Sequence, residues 1–335
     1  MTTLPPDILS SLARMGLTEP GASVDAERLT GGVSSDIWKV TAGSRVFCVK
    51  RAMAKLAVED DWFAPVERNR FERNWYAIAS ERVPGVAPAV LGYDDDLLFF
   101  AMAWLDPDHY SLWKPDLMKG RVDRDFAATV GEKLAEVHAA TAGDRAIAAA
   151  FPTGRLFEAL RLEPYLRATG QRHPDLSDAL GSLADRTAAT ETALVHGDVS
   201  PKNIMKGPKS VPVFLDAECA WYGDPAFDLA FCLNHLLLKC IAAPQASRDL
   251  IAAFGAMHES YMAGVNWEPR EDLEARAASL LPALLLARVD GKSPVEYITD
   301  DDQRAVVRRV AVPLIKEPPA SLADISNAWS KELGI

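Results

Sequence analysis

Cysteine is sparse and unpatterned in this 335-residue chain: Cys48, Cys219, Cys232 and Cys240 form no CxxC pair and no zinc-type spacing. That excludes a zinc ribbon and offers no disulfide framework, so buried thiols in a reducing cytoplasm are expected. Positive charge is not in excess either: 36 Lys and Arg stand against 47 Asp and Glu, a net charge of −11. The balance argues against a surface for nucleic acid or an anionic membrane. The acidic excess reads as solubility, although it would also draw a cationic substrate. Long apolar runs are missing too. Residues 229–243 are interrupted by Asn234, His235 and Lys239, and residues 280–287 by Pro282, so neither is expected to span a bilayer. The opening MTTLPPDILSSLARMG has no basic flank and no continuous apolar core, so no signal peptide is expected. With 49% hydrophobic and 25% charged residues, the chain has the make-up of a globular protein long enough for two lobes.

The informative stretch is LVHGDVSPKNIMKGPKSVPVFLDAECAWYGDPAFDLA, residues 194–230. It sets His196, Asp198, Asn203 and Asp216 in the order that phosphoryl transfer from ATP requires, with Asn203 five residues after Asp198. The apolar run 211–215 reads as a strand that delivers Asp216. The transferred group carries spread negative charge, so catalysis is mostly positioning and neutralisation by Mg²⁺. Mg²⁺ is a hard ion that takes oxygen ligands. Asp216 offers a carboxylate and Asn203 an amide oxygen. Glu218 is a candidate second carboxylate, on the same side as Asp216 if the backbone stays extended through Ala217. Asp198 is left to accept or orient the proton of a substrate hydroxyl. The bland alternative makes Asp198 and Asn203 turn residues and Asp216 a strand cap.

These residues resemble the aminoglycoside phosphotransferase and choline kinase group of small-molecule kinases, which carry H-G-D-x-x-x-x-N, as His196-Gly197-Asp198 and Asn203 do here. The block LDAECAWYGDPAFDL, 215–229, is similar to that of methylthioribose kinases, although that branch usually lacks the loop asparagine. The resemblance implies a protein-kinase-like α+β fold: an N-lobe over 1–105, mostly antiparallel strands plus one pairing helix, and a mainly helical C-lobe over 106–335.

Within the N-lobe, residues 29–40 hold Gly31, Gly32, Ser34 and Ser35 between strand-like segments, a turn whose N–H groups and hydroxyls suit phosphate oxygens. The alternating strand 45–51 places Lys50 near its end, where a nucleotide-binding lobe holds the α- and β-phosphates. The helix-like run 66–79 offers Glu72 or Glu67 to pair with it, Glu72 fitting the family placement better. Residues 97–105 form a short apolar strand. In the family's fold this is the hinge, so Met102, Ala103 and Leu105 become the adenine contacts.

A clear helical period, Phe126, Val130, Leu134 and Val137, runs over 125–141, and His138 near its end reads as a packed core histidine. Residues 151–190 suggest helices broken at Pro164, Gly170 and Pro174, the region expected to shape an acceptor pocket. Asp228 is expected to open a helix and hydrogen-bond the catalytic-loop backbone, and Lys202 to approach the γ-phosphate or face solvent. Arg288 stands where methylthioribose kinases use one of two arginines on the sugar; Ala287 replaces the other. Its plainer role is a cation at a helix C-terminus.

The expectation is a Mg²⁺- and ATP-dependent kinase of a small-molecule hydroxyl, working without nucleic acid or membrane. Two rivals are a nucleotide-binding pseudokinase and a metal-dependent hydrolase built on Asp216, Glu218 and His196.

Overall fold

The computed structural model describes residues 4–29, 35–53 and 65–335. Five strands form one antiparallel sheet: β1 (Asp25–Leu29), β2 (Ser35–Ala42), β3 (Arg45–Ala52), β4 (Val90–Asp94) and β5 (Phe99–Ala103), in the order β1-β2-β3-β5-β4. Side-chain alternation gives the sheet two different faces. Trp38, Val40, Phe47, Val49, Phe99 and Ala101 pack with Ile8 and Leu12 of helix α1 (Pro6–Arg14). Cys48, Phe100 and Met102 belong to the other core, with Trp75, Tyr76 and Ala79 of helix α2 (Arg68–Arg82). Lys50 shares the parity of Cys48 and sits opposite Phe100 in register. An amino group is thereby turned toward a helix.

The remainder is mostly helical. Helix α3 (Trp113–Met118) and helix α4 (Arg124–Thr141) lead into it, and all four periodic residues of α4 are buried. The helix Pro225–Ala242 is buried along almost its whole length and packs against α-helices Ser247–Gly264 and Arg270–Asp290. It is the one helix among the described residues long and apolar enough to cross a membrane, and it lies inside the protein core. Short strands frame the candidate site. β6 (Ser111–Leu112), β8 (Ile204–Lys206) and β9 (Pro212–Phe214) form one ladder, and β7 (Ala193–Val195) pairs with β10 (Trp221–Gly223). All four cysteines are buried and unbridged.

Two local expectations need correction. Pro164 breaks nothing: it lies inside a π-helix, Glu158–Arg167, that runs on into the α-helix Ala168–Arg172 through Gly170. In an α-helix a proline ring meets the carbonyl four residues back; the wider π turn relieves that contact. Here the Leu160 carbonyl accepts from Arg161 Nη1 at 2.7 Å. The second concerns Asp228, which lies in the first turn of Pro225–Ala242 rather than at its cap. Asp224 is the cap, accepting from Ala226 N at 3.0 Å, with Pro225 preset at the first helical position.

Candidate active site

The loop after β7 is built on one carboxylate. Asp228 accepts from His196 N at 2.7 Å and Gly197 N at 2.8 Å, and His138 Nε2 lies 3.3 Å away. His138 also meets the Tyr261 hydroxyl at 2.8 Å, so it is a packed, hydrogen-bonded core residue. Gly197 has φ 80°, and a Cβ there would stand 2.6 Å from the Cys219 carbonyl oxygen. Only glycine fits that conformation and that approach.

His196 is fully used. Its Nε2 faces the Leu215 carbonyl at 3.1 Å and must carry the proton, while Nδ1 accepts from Asp198 N at 3.1 Å. Burial lowers its pKa below the ordinary value, more than Asp228 and the neighbouring acids raise it. A neutral ring with both nitrogens engaged is neither a metal ligand nor a base, which removes the centre of the hydrolase rival.

Asp198 and Asn203 come together through a short turn. Asn203 Nδ2 donates to Asp198 Oδ2 at 2.8 Å and to the Asp198 carbonyl at 3.0 Å. That leaves the Asn203 amide oxygen, to which no hydrogen bond is found among the described residues. Arg161 Nη2 lies 3.0 Å and Lys202 Nζ 3.3 Å from Asp198 Oδ2. Burial would raise the Asp198 carboxyl, but Arg161 and Lys202 outweigh it and hold the group below the usual carboxylate range.

Across from the loop, Lys50 Nζ donates to Glu72 Oε1 at 2.7 Å and to Asp216 Oδ1 at 2.5 Å. Glu67 is exposed at the start of α2, so Glu72 is the partner. One turn on, Tyr76 donates its hydroxyl to Glu72 at 2.7 Å and accepts from Asp216 N at 2.7 Å. Burial pushes the Glu72 carboxyl up to about 7 despite Lys50. For Lys50 itself burial opposes the charge, yet Asp216, Glu72 and Glu218 hold it above the usual lysine range. Asp216 is half-buried, and desolvation opposes its charge, but Lys50 and Lys202 keep it well below the carboxylate range.

The backbone is not extended through Ala217. β9 ends at Phe214, and Asp216 adopts φ 65°, a left-handed conformation that aspartate tolerates better than most residues. The bend lets Asp216 meet Tyr76 through its N–H and Lys50 through its carboxylate at once. Glu218 still stands close enough to Asp216 that burial and that neighbour raise its pKa. Its Oε2 accepts from Arg68 Nε at 2.9 Å.

The Asn203 amide oxygen and the Asp216 and Glu218 carboxylates are oxygen donors of the kind a hard divalent cation takes. Among the described residues no group of three or more His, Cys, Asp or Glu that could hold a metal ion is found.

Gly31, Gly32 and Ser34 lie outside the described residues. Ser35 is buried at the start of β2, opposite Ala52. In the expected hinge, Met102 is buried in β5 and the Ala103 N–H donates to the Ala89 carbonyl at 2.8 Å. Ala103 therefore has no donor to offer a base. No hydrogen bond to the Leu105 backbone is found among the described residues.

Arg288 is buried near the end of Arg270–Asp290, where its Nη1 donates to the Tyr165 hydroxyl at 2.9 Å and to Ser293 Oγ at 3.0 Å. It also borders a pocket beside the catalytic loop that Lys202, Lys239 and Tyr297 help to line.

Sequence reasoning missed three participants. Tyr76 was findable, since it follows Glu72 by one helical turn. Arg161 and Arg68 carried no signal, because the site residues they reach lie 36 or more residues away.

A carboxylate–asparagine loop together with a buried lysine–glutamate pair is the arrangement that phosphoryl transfer from ATP requires. A model described as the phosphotransferase enzyme family matches residues 25–263, and the chain belongs to that family. It is 26% identical over 258 residues to the methylthioribose kinase of Erwinia tasmaniensis, covering 68% of this chain and 64% of that protein. It thus spans less than two thirds of that relative's length. A choline/ethanolamine kinase family protein from Mesorhizobium loti has a TM-score of 0.54 at 16% identity, covering 97% of this chain and 99% of that one. For an aminoglycoside phosphotransferase from Alicyclobacillus acidocaldarius the values are 0.51, 18%, 100% and 96%. The fold is the protein-kinase-like one.

Proposed function

We propose that this chain is a kinase that transfers the γ-phosphoryl group of ATP to a hydroxyl of a small molecule. One observation carries the reading: Lys50 joins Glu72 of the sheet-covering helix to Asp216, 166 residues along the chain from Lys50. That link closes a cleft between the strand lobe and the Asp198 loop. In this reading the lobes divide after Leu105, and the buried thiols suit a cytoplasmic enzyme.

Lys50 holds phosphate oxygens, and Ser35 belongs to the phosphate turn with Gly31, Gly32 and Ser34. Met102 lines the adenine side, and Leu105, in place of Ala103, reads the base edge through its backbone. Asn203 Oδ1 and Asp216, with Glu218 as the further candidate, hold Mg²⁺, whose charge neutralises the phosphates when it is bound. Asp198 orients the acceptor hydroxyl and takes its proton. The acceptor oxygen bonds to Pγ, the Pγ–O bond to the leaving group breaks, ADP departs with that electron pair, and the proton passes from Asp198 to water.

The test is thermal stability with ATP and Mg²⁺, followed by ADP release with a metabolite library. Ligand at 100 times its dissociation constant adds about 2.7 kcal/mol. Asp198→Ala is expected to keep that stabilisation and lose ADP release. Equal turnover in the variant would remove the mechanism, and no turnover by the wild type with any acceptor would favour a binding-only protein.

A further inference from the structure

The pocket beside the catalytic loop gathers positive charge in an acidic protein. Lys114, Lys202, Lys239 and Arg288 line it, and the one acid among its lining residues is Glu296. Two of these cations already have acids: Lys114 is paired with Glu296, and Lys202 with Asp198. Lys239 differs. It is 1% exposed, makes no hydrogen bond or ion pair among the described residues, and has its ammonium 5.0 Å from the centre of the Tyr297 ring. A buried amine with no acid beside it is costly to charge and is seldom kept without a use.

A second observation points the same way. Buried polar atoms are nearly always hydrogen-bonded, yet Ser200 Oγ, His235 Nε2, Arg288 Nε and Tyr297 Oη have no hydrogen-bond partner among the described residues, and all four residues line this pocket. Ser200, His235 and Arg288 are more than nine-tenths buried. A guanidinium N–H only donates and serine and tyrosine hydroxyls can donate, so three of these groups can each give a hydrogen bond to an acceptor placed in the pocket. An anion supplies both the missing charge and such an acceptor. Lys202 ties the pocket to the reacting centre, since it lines the pocket and reaches Asp198 at 3.3 Å.

We propose that this pocket binds an anionic group of the acceptor, a carboxylate or a phosphate, while the acceptor's hydroxyl lies at Asp198. The inference rests on the kinase reading above and narrows its substrate class. Cationic acceptors such as choline or an aminoglycoside are disfavoured by the same charges that favour an anion. Neutral sugars leave Lys239 without a counter-charge.

The test has two arms on the full chain. Calorimetry measures binding of inorganic phosphate, D-ribonate and ribitol to the wild type, Lys239→Met and Lys114→Gln. Both anions are expected to bind and ribitol not, with Lys239→Met weakening the anions about tenfold or more and Lys114→Gln less. The second arm compares ADP release for matched acceptors: a sugar against its phosphate, a polyol against its aldonate, and methylthioribose and choline beside them. Anionic members are expected to lead by about tenfold or more in kcat/KM. Preference for methylthioribose or choline overturns the proposal, as does unchanged anion affinity in both variants. ATP binding is followed separately. If anions bind while ATP with Mg²⁺ does not, the kinase reading falls and the anion pocket stands; if ATP binds and anions do not, the pocket proposal alone falls.

Discussion

Arg161 Nη2 lies 3.0 Å from Asp198 Oδ2, and the same guanidinium donates through Nε to the Gly197 carbonyl at 2.5 Å. One buried cation thus grips the side chain of the proposed base and the backbone just before it. Arg161→Met should lower kcat by about 10²-fold, the scale on which small misplacements of a reacting group act. The KM for ATP should change less than about twofold if Arg161 acts only on the loop. Steady-state kinetics decides it, and partial recovery in Arg161→Lys would point to charge as well as shape.

Lys50 is held from two sides, and only one hold is the helix. Glu72→Gln leaves the ammonium with Asp216 alone and ties that carboxylate more tightly away from a metal. We expect kcat/KM for ATP to fall about 10- to 100-fold, consistent with the loss of a buried charge partner. Glu67→Gln, on the exposed start of α2, should change nothing. Equal effects in the two variants would refute the pairing as the functional one.

Gly197 combines φ 80° with a 2.6 Å approach of any Cβ to the Cys219 carbonyl. Gly197→Ala should destabilise the fold by about 1–3 kcal/mol through backbone strain alone. Calorimetry should show a melting temperature lower by roughly 2–6 °C. Turnover should fall further than stability does, because the next residue is Asp198. An unaltered melting curve would show that the loop relaxes at no cost.

Lys239 gives a pH prediction. Burial, then Lys114 and least of all Arg288, lower its pKa to about 7, with Cys232 and Glu296 opposing. Neighbouring His235 is itself neutral, its pKa lowered by burial and by these cations. A folded-state pKa below the ordinary lysine value means the unfolded chain binds the extra proton between about pH 7 and 10.4. Stability from this group therefore rises with pH across that window and is lowest below it. Lys239→Met should raise the melting temperature at pH 6 by a few degrees, at roughly 2 °C per kcal/mol. The gain should shrink as the pH approaches 10. A gain independent of pH would show that packing, not charge, is responsible.

Much of the frame was legible because it is written locally. The 125–141 period marked α4, the alternation of 45–51 marked β3, and the interval between Asp198 and Asn203 became a real contact at 2.8 Å. Other readings failed where a local rule met a long-range demand. Pro164 was read as a break, but the segment took a wider turn. The condition on Glu218, an extended backbone through Ala217, is not met, because reaching Lys50 and Tyr76 together bends Asp216 into the left-handed region. At the expected adenine contact Ala103, the Ala89 carbonyl takes the N–H at 2.8 Å.

The amino-acid order alone determined the chemistry on offer: which oxygen donors, which carboxylate and which lysine, and the intervals between those that are neighbours in the chain. Tertiary structure decided how they are charged and held. Arg161, Arg68 and Tyr76 reach the site only because apolar faces of distant helices pack as they do. The pocket's charge is likewise a sum over Lys114, Lys202, Lys239 and Arg288, four positions far apart along the chain. No window of sequence contains that sum; it exists only after the core has brought those segments together.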